Sequence, residues 1–317
     1  MGKSIMLLLR DDRAPPLCYH EPSKAHRAAH LRKIIMLSLI EINRLWESSL
    51  RTHASTMLEG ERGPYLAIGA KTMALLDPLW TAPHSAQPPD IGAMLAAGKD
   101  VRVFGDPHFQ HANIIRMCER PFDNVDDMDG KMWNALETAH ADADFVICVG
   151  DWALRDPISW LRKTARAFPG KQLTVVGNHD AKGSKPDQWI EMGARASLAF
   201  SIDRELAKTW VERHEPDMAE LIEWRKLPKI IHVGMSHWPI PPQRMPSASW
   251  INLHGHIHNE ANRPLRANCS MEAIGFAPRS IERLVDARIL DDLARRQSGL
   301  EGFVEESVRS EDLASGL

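Results

Sequence analysis

Leu173-Thr-Val-Val-Gly-Asn-His-Asp180 is a short, β-branched apolar run that stops on a glycine followed by an amide, an imidazole and a carboxylate. Such a run is too short for a helix and reads as a buried strand, with the polar cluster in the loop at its carboxyl end. The same grammar recurs on both sides. Upstream, Val101 to Phe104 runs into Gly105-Asp106-Pro107-His108, and Phe145 to Val149 runs into Gly150-Asp151. Downstream, Ile230 to Met235 leads to Ser236-His237, and Trp250 to Leu253 leads to His254-Gly255-His256-Ile257-His258. Helical patterns lie between them: about Asp127 to His140, Ile158 to Phe168 after Asp156-Pro157, and Glu205 to Lys226 with a break near Pro216. Strands alternating with helices predict an α/β architecture, in which ligands gather at the carboxyl ends of strands.

The polar clusters share a chemistry. Together they supply Asp106, Asp151, Asp180, Asn178 and the histidines 108, 179, 237, 256 and 258. Mixed carboxylate, amide and imidazole donors suit manganese, iron or zinc. A carboxylate such as Asp151 has two oxygens and can serve a pair of ions, and a glycine before the donor keeps backbone clear of the site.

The rest of the chain sets limits. It has 317 residues, 44% of them hydrophobic, enough for a full core. With 39 Lys+Arg against 42 Asp+Glu, the formal charge of -3 argues against a strongly basic, non-specific nucleic-acid surface. Cys18, Cys118, Cys148 and Cys269 form no C-x-x-C, which fits a reduced, cytoplasmic setting rather than a disulfide framework. The longest candidate membrane stretch, Ile34 to Ile40, is far below the roughly 20 residues of a spanning helix. The N-terminus lacks a secretory apolar run and a myristoylation pattern. Apolar residues at helical intervals predict one long amphipathic helix from Lys24 to about Ser55, and a second from Tyr65 to Leu76 that ends at Asp77-Pro78 before the proline-rich TAPHSAQPPD. We place a boundary near residue 97. Asn268 to Phe276 reads as a last strand, Ser280 to Arg296 as a helix, and the C-terminal residues as a loosely held tail.

The five clusters, in order, are D-x-H, G-D, G-N-H-D, a lone histidine and G-H-x-H. This set resembles the calcineurin-like metallophosphoesterase superfamily. HFQHANII (His108 to Ile115), SHWP (Ser236 to Pro239) and LHGHIHN (Leu253 to Asn259) are similar to its small bacterial and phage-type members. The resemblance covers about residues 98–285, leaving residues 1–97 as a helical extension of unknown role and 286–317 as a C-terminal helix and tail. It implies a four-layer αββα sandwich and two divalent ions, manganese foremost with iron or zinc as alternatives. Asp106, His108, Asp151 and His258 would hold one ion, and Asp151, Asn178, His237 and His256 the other. A hydroxide bridging the ions would attack a phosphodiester or phosphomonoester, with His179 as general acid and Asp180 orienting its imidazole. Arg155, four residues after Asp151, matches the arginine spacing of the related protein phosphatases and would contact a phosphate oxygen. His111 and Asn113 are candidates for the substrate side or for capping the following helix. The implied partner is a phosphate ester, with a nucleotide or nucleic acid among the candidates, and no membrane. A metal-stabilised binding scaffold, docking a partner on the N-terminal helices, is the alternative; an amidohydrolase-type zinc site would explain His256-x-His258 but neither G-N-H-D nor D-x-H.

Overall fold

The structure, a computed structural model, describes residues 39–54, 68–82, 88–182 and 184–299. Expectations for residues 1–38, for residues 83–87 of TAPHSAQPPD and for the tail from 300 onward lie outside these residues. The described residues belong to one compact unit.

Among the described residues, eight strands make two mixed sheets. The first has the order β3-β2-β1-β8, with β1 Val101–Phe104, β2 Phe145–Cys148, β3 Gln172–Thr174 and β8 Arg279–Ser280. Strands β1, β2 and β3 are parallel, pairing Val103 with Ile147 and Ile147 with Leu173. All four residues of β2 are buried, as expected for a parallel strand covered on both faces. The second sheet has the order β4-β5-β6-β7, with β4 Leu198–Asp203, β5 Ile230–Ser236, β6 Trp250–His254 and β7 Arg266–Asn268. Here β5 and β6 are parallel, and β4 runs antiparallel to β5. The protein is therefore of mixed α/β class, and all five strands that carry the polar clusters are where the sequence puts them.

A helix covers residues 39–54 (α1), followed by α2 Ala70–Thr81 and α3 Ile91–Ala96. The crossover between β1 and β2 holds α4 Ala112–Met117 and α5 Val125–Asp142; α6 Pro157–Ala167 links β2 to β3. α5 starts where Asn124 caps it, its side-chain oxygen accepting from the Asp127 N–H at 3.0 Å, with Asp126 and Asp127 placed favourably in the first turn. The segment after β4 breaks as expected, into α8 Arg204–His214 and α9 Pro216–Ala219. It is preceded by a short α7, Pro186–Glu191. The chain then adds α10 Met271–Ile274, α11 Ile281–Leu284 and α12 Ala287–Gln297.

Four expectations change. The boundary near residue 97 cuts through a continuous core: Ile42, Trp46, Leu50 and Ala54 of α1 are buried in the same hydrophobic cluster as the strands. Trp46 stacks on Trp250 of β6 with ring centroids 5.3 Å apart and donates its indole N–H to the Met235 carbonyl at 3.1 Å. Gly234 of β5 makes room for it, since a Cβ there would sit 2.2 Å from the indole. α2 runs through Pro78 to Thr81 rather than stopping at Asp77-Pro78. Asn268 to Phe276 is the end of β7 followed by the short helix α10, and the helix expected from Ser280 splits into α11 and α12. β4 was not anticipated. No helix among the described residues is long and apolar enough to cross a membrane.

Candidate metal centre

The carboxyl ends of β1, β2 and β3 meet those of β5 and β6. A bridge joins Gly105 to Ser270, the Asp106 N–H donates to the Gly150 carbonyl at 3.0 Å, and the His256 N–H donates to Asp106 Oδ2 at 2.9 Å. The donor residues leave their strands sharply. Asp106, His108, Asp151, His256 and His258 all have φ between +49° and +74°, the left-handed region that non-glycine residues seldom enter. Gly177 is required by close approach, because a Cβ would lie 2.2 Å from Asp151 Oδ1.

Asp151 stands at the middle. Its Oδ2 is 3.5 Å from His108 Nε2 and 3.4 Å from His237 Nε2, and its Oδ1 accepts the His179 N–H at 2.7 Å. His108 Nε2 is also 3.8 Å from Asp106 Oδ1. The imidazole-to-carboxylate separations, 3.4 to 3.8 Å, are longer than an ordinary hydrogen bond. Two donors bound at about 2.1 Å to one tetrahedral ion are about 3.4 Å apart. His108 Nε2 and Asp106 Oδ1 are both buried with no hydrogen-bond partner, on residues 1% and 0% exposed. Buried polar atoms are rarely left so, and the donor set fits a divalent cation. Asp106, His108 and His258 form one group with ligand atoms mutually within 4.8 Å, and Asp106, Asp151 and His237 form another. Asn178 Oδ1 lies 2.9 Å, and His256 Nδ1 3.2 Å, from His237 Nε2. All seven expected ligands thus converge.

Protonation follows from the crowding. Burial alone would raise the Asp106 and Asp151 carboxyls, but the facing imidazoles hold both below the usual range. Conversely, burial would lower His237, yet Asp151 and Asp106 push it up to about 9. Burial opposes the charge on His258 too, but its hydrogen bonds to Cys118 and Glu272 and the charge of Asp106 raise it to about 11. The His237 Nδ1 lies 2.9 Å from the Val149 carbonyl, which only accepts, so that nitrogen carries a proton and Nε2 faces Asp151.

His179 sits beside this cluster, its ring centroid 4.7 Å from that of His108. Burial lowers it to about 4, with His108 and Lys182 reinforcing and Asp151 opposing. Lys182 Nζ is 3.2 Å from His179 Nδ1. An ammonium only donates, so the ring carries its proton on Nε2. Asp180 does not orient this imidazole. Its Oδ2 accepts from the Asp151 and Gly177 N–H groups at 2.9 and 2.8 Å, and its Oδ1 from the Trp152 N–H at 2.9 Å. It is a loop brace that ties the G-D turn to the G-N-H-D turn.

The outlying candidates divide. His111 is at the site, its Nδ1 3.4 Å from His108 Nδ1, and at the N-cap of α4 its side chain caps nothing. Asn113 is exposed on α4, and Arg155 is exposed on the loop before α6 with no hydrogen bond or ion pair among the described residues. The neighbouring Asp156 accepts from Ser159. Trp152 and Trp238 are core residues, 1% and 0% exposed. His254 is fully buried beside the cluster, lowered by burial to about 3. Three residues around Asp106 were not singled out from sequence: Ser270, whose Oγ donates to Asp106 Oδ2 at 2.8 Å, and the buried pair Arg120 and Glu272.

No protein-family model matches the chain. Over 88 residues, 27% of its length, it is 33% identical to MJ1445 of Methanocaldococcus jannaschii, a protein described as uncharacterized. The chain spans 50% of the length of that relative. Among solved structures it is similar to AQ665 from Aquifex aeolicus, a protein of unknown function, at 19% identity and a TM-score of 0.37, covering 58% of this chain and 96% of that one.

Proposed function

We propose that the chain is a metal-dependent phosphoric ester hydrolase of the calcineurin-like metallophosphoesterase kind, a four-layer αββα sandwich that holds two divalent cations, manganese foremost. One observation carries the reading. Asp151 Oδ2 lies 3.5 Å from an imidazole nitrogen after β1 and 3.4 Å from one after β5, the position of a carboxylate shared between two ions. Asp106, His108, Asp151 and His258 would hold one ion; Asp151, Asn178, His237 and His256 the other. Such a pair supplies Lewis-acid stabilisation of the charge that builds on a phosphate during hydrolysis.

The remaining steps fall to side chains. His179 handles the leaving-group proton. In the neutral ring Lys182 at Nδ1 leaves the proton on Nε2, and an anionic phosphate beside the ring would favour the protonated form that donates to the leaving group. His111, with its ring centroid 6.0 Å from that of His179, lines the substrate side. Asp180 keeps Asp151 and His179 in register through the backbone. The binding-scaffold alternative is weakened by α1, whose Ile42, Trp46, Leu50 and Ala54 are packed in the core rather than offered to a partner.

The test is metal content together with hydrolysis of bis(p-nitrophenyl) phosphate and p-nitrophenyl phosphate, with and without Mn2+. Manganese-dependent turnover of either, lost in Asp151→Ala, supports the reading; an inert wild type or a fully active Asp151→Ala overturns it.

A further inference from the structure

Behind His258, away from Asp151, lies an ion pair that no motif announces. Arg120 and Glu272 are 152 positions apart, and their side chains are 0% and 4% exposed. Arg120 Nε and Nη2 both donate to Glu272 Oε1, at 2.8 and 2.7 Å. The same guanidinium donates from Nη2 to the Asp106 carbonyl at 2.7 Å and from Nη1 to the Pro107 carbonyl at 2.8 Å. Glu272 Oε1 also lies 3.1 Å from His258 Nδ1.

A fully buried ion pair is seldom the most stabilising way to fill a core, since desolvation offsets most of the attraction. Its geometry is better suited to holding other groups. We propose that Arg120 and Glu272 are positioning residues for the candidate metal centre: Glu272 accepts the Nδ1 proton of His258 and so leaves Nε2 for an ion, while Arg120 fixes Glu272 and the Asp106-Pro107 backbone as one block. The inference rests on the reading of Asp106, His108 and His258 as ligands of one ion. It explains why the Asp106-Pro107-His108 turn, with φ of +55° and +50° at its two donors, keeps its shape: both carbonyls that turn inward are held by one planar fork. Lysine, with a single nitrogen, cannot bond two carbonyls and a carboxylate in that plane. Asn268 completes the cradle, donating to the His258 carbonyl at 2.6 Å.

The experiment uses the full chain, stripped of metal, as wild type, Glu272→Gln, Glu272→Leu and Arg120→Lys. Calorimetric titration with Mn2+ reads affinity and stoichiometry; long-range 1H–15N spectra of the zinc-loaded protein read which His258 nitrogen carries the proton. Glu272→Leu is expected to weaken one of two ions by about 10–100-fold and spare the other. Arg120→Lys should weaken the same ion, whereas Glu272→Gln, which keeps an acceptor oxygen, should stay close to wild type. In wild type the proton belongs on Nδ1. A His258 proton on Nε2, or a Glu272→Leu protein that binds both ions as tightly as wild type, overturns the proposal. If Glu272→Leu does not fold, the wild-type spectrum decides. A wild type that binds neither ion instead overturns the phosphoesterase reading and this inference with it.

Discussion

Asp180 and Asp151, both buried, are joined not side chain to side chain but through the backbone, the Asp180 Oδ2 accepting the Asp151 N–H at 2.9 Å. Two further N–H groups, of Gly177 and Trp152, end on the same carboxylate. Asp180→Ala would orphan three donors on two buried turns at the site. A loss of about 3 kcal/mol or more in denaturant unfolding is expected, from about 1–3 kcal/mol per unsatisfied buried group. Asp180→Asn, which keeps one acceptor oxygen, should cost less.

Metal affinity should depend on pH with a definite sign. His237 is raised to about 9 and His258 to about 11 in the metal-free protein, so both carry protons at pH 7 that a bound ion displaces. Mn2+ affinity should therefore rise between about pH 7 and 9, and calorimetry in buffers of different ionisation enthalpy should report proton release. The stability of the metal-free protein runs the other way. A histidine raised above its unfolded value stabilises fully below that value, about 6.5, and the His237 contribution fades as pH climbs through about 9. A flat affinity profile would contradict this assignment.

His179→Ala should slow esters with poor leaving groups much more than those with good ones, because a good leaving group needs little protonation. The comparison of alkyl with p-nitrophenyl esters checks it. An equal loss for both would remove the acid role while leaving the metal ligands untouched.

Trp46→Ala removes a fully buried indole stacked on Trp250. A cost of about 3–5 kcal/mol in thermal or denaturant unfolding is expected. A fragment beginning at residue 97 should behave worse, exposing the face of β5 and β6 that α1 covers, and light scattering would detect its association.

Much of the site could be read from the letters because metal donors are few in kind and each followed a strand that ends on a turn. That Asp106, His108, Asp151, Asn178, His237, His256 and His258 come together needed only residue type, order and strand position. Asp180 was misread because a carboxylate next to a histidine suggests a side-chain pair, whereas its bonds are to backbone groups that have no letter. Arg120 and Glu272 were invisible for another reason: single charged residues 152 apart look like ordinary surface until the fold buries them together. The false boundary near residue 97 has the same origin. Periodicity reveals that α1 has an apolar face, but what covers that face depends on Gly234 and Trp250, nearly two hundred positions away.

The left-handed backbone at five of the donor positions narrows what the loops can tolerate. Asparagine, aspartate and histidine enter that region more easily than most side chains, and a β-branched residue there is a genuine outlier. On the proposed metal reading each such position is selected twice, by an ion for a donor atom and by the turn for a side chain that accepts positive φ. Donor exchange at these loops is confined to a small alphabet, and a glutamate offered in place of Asp106 or Asp151 would meet a conformational penalty before its carboxylate met any metal.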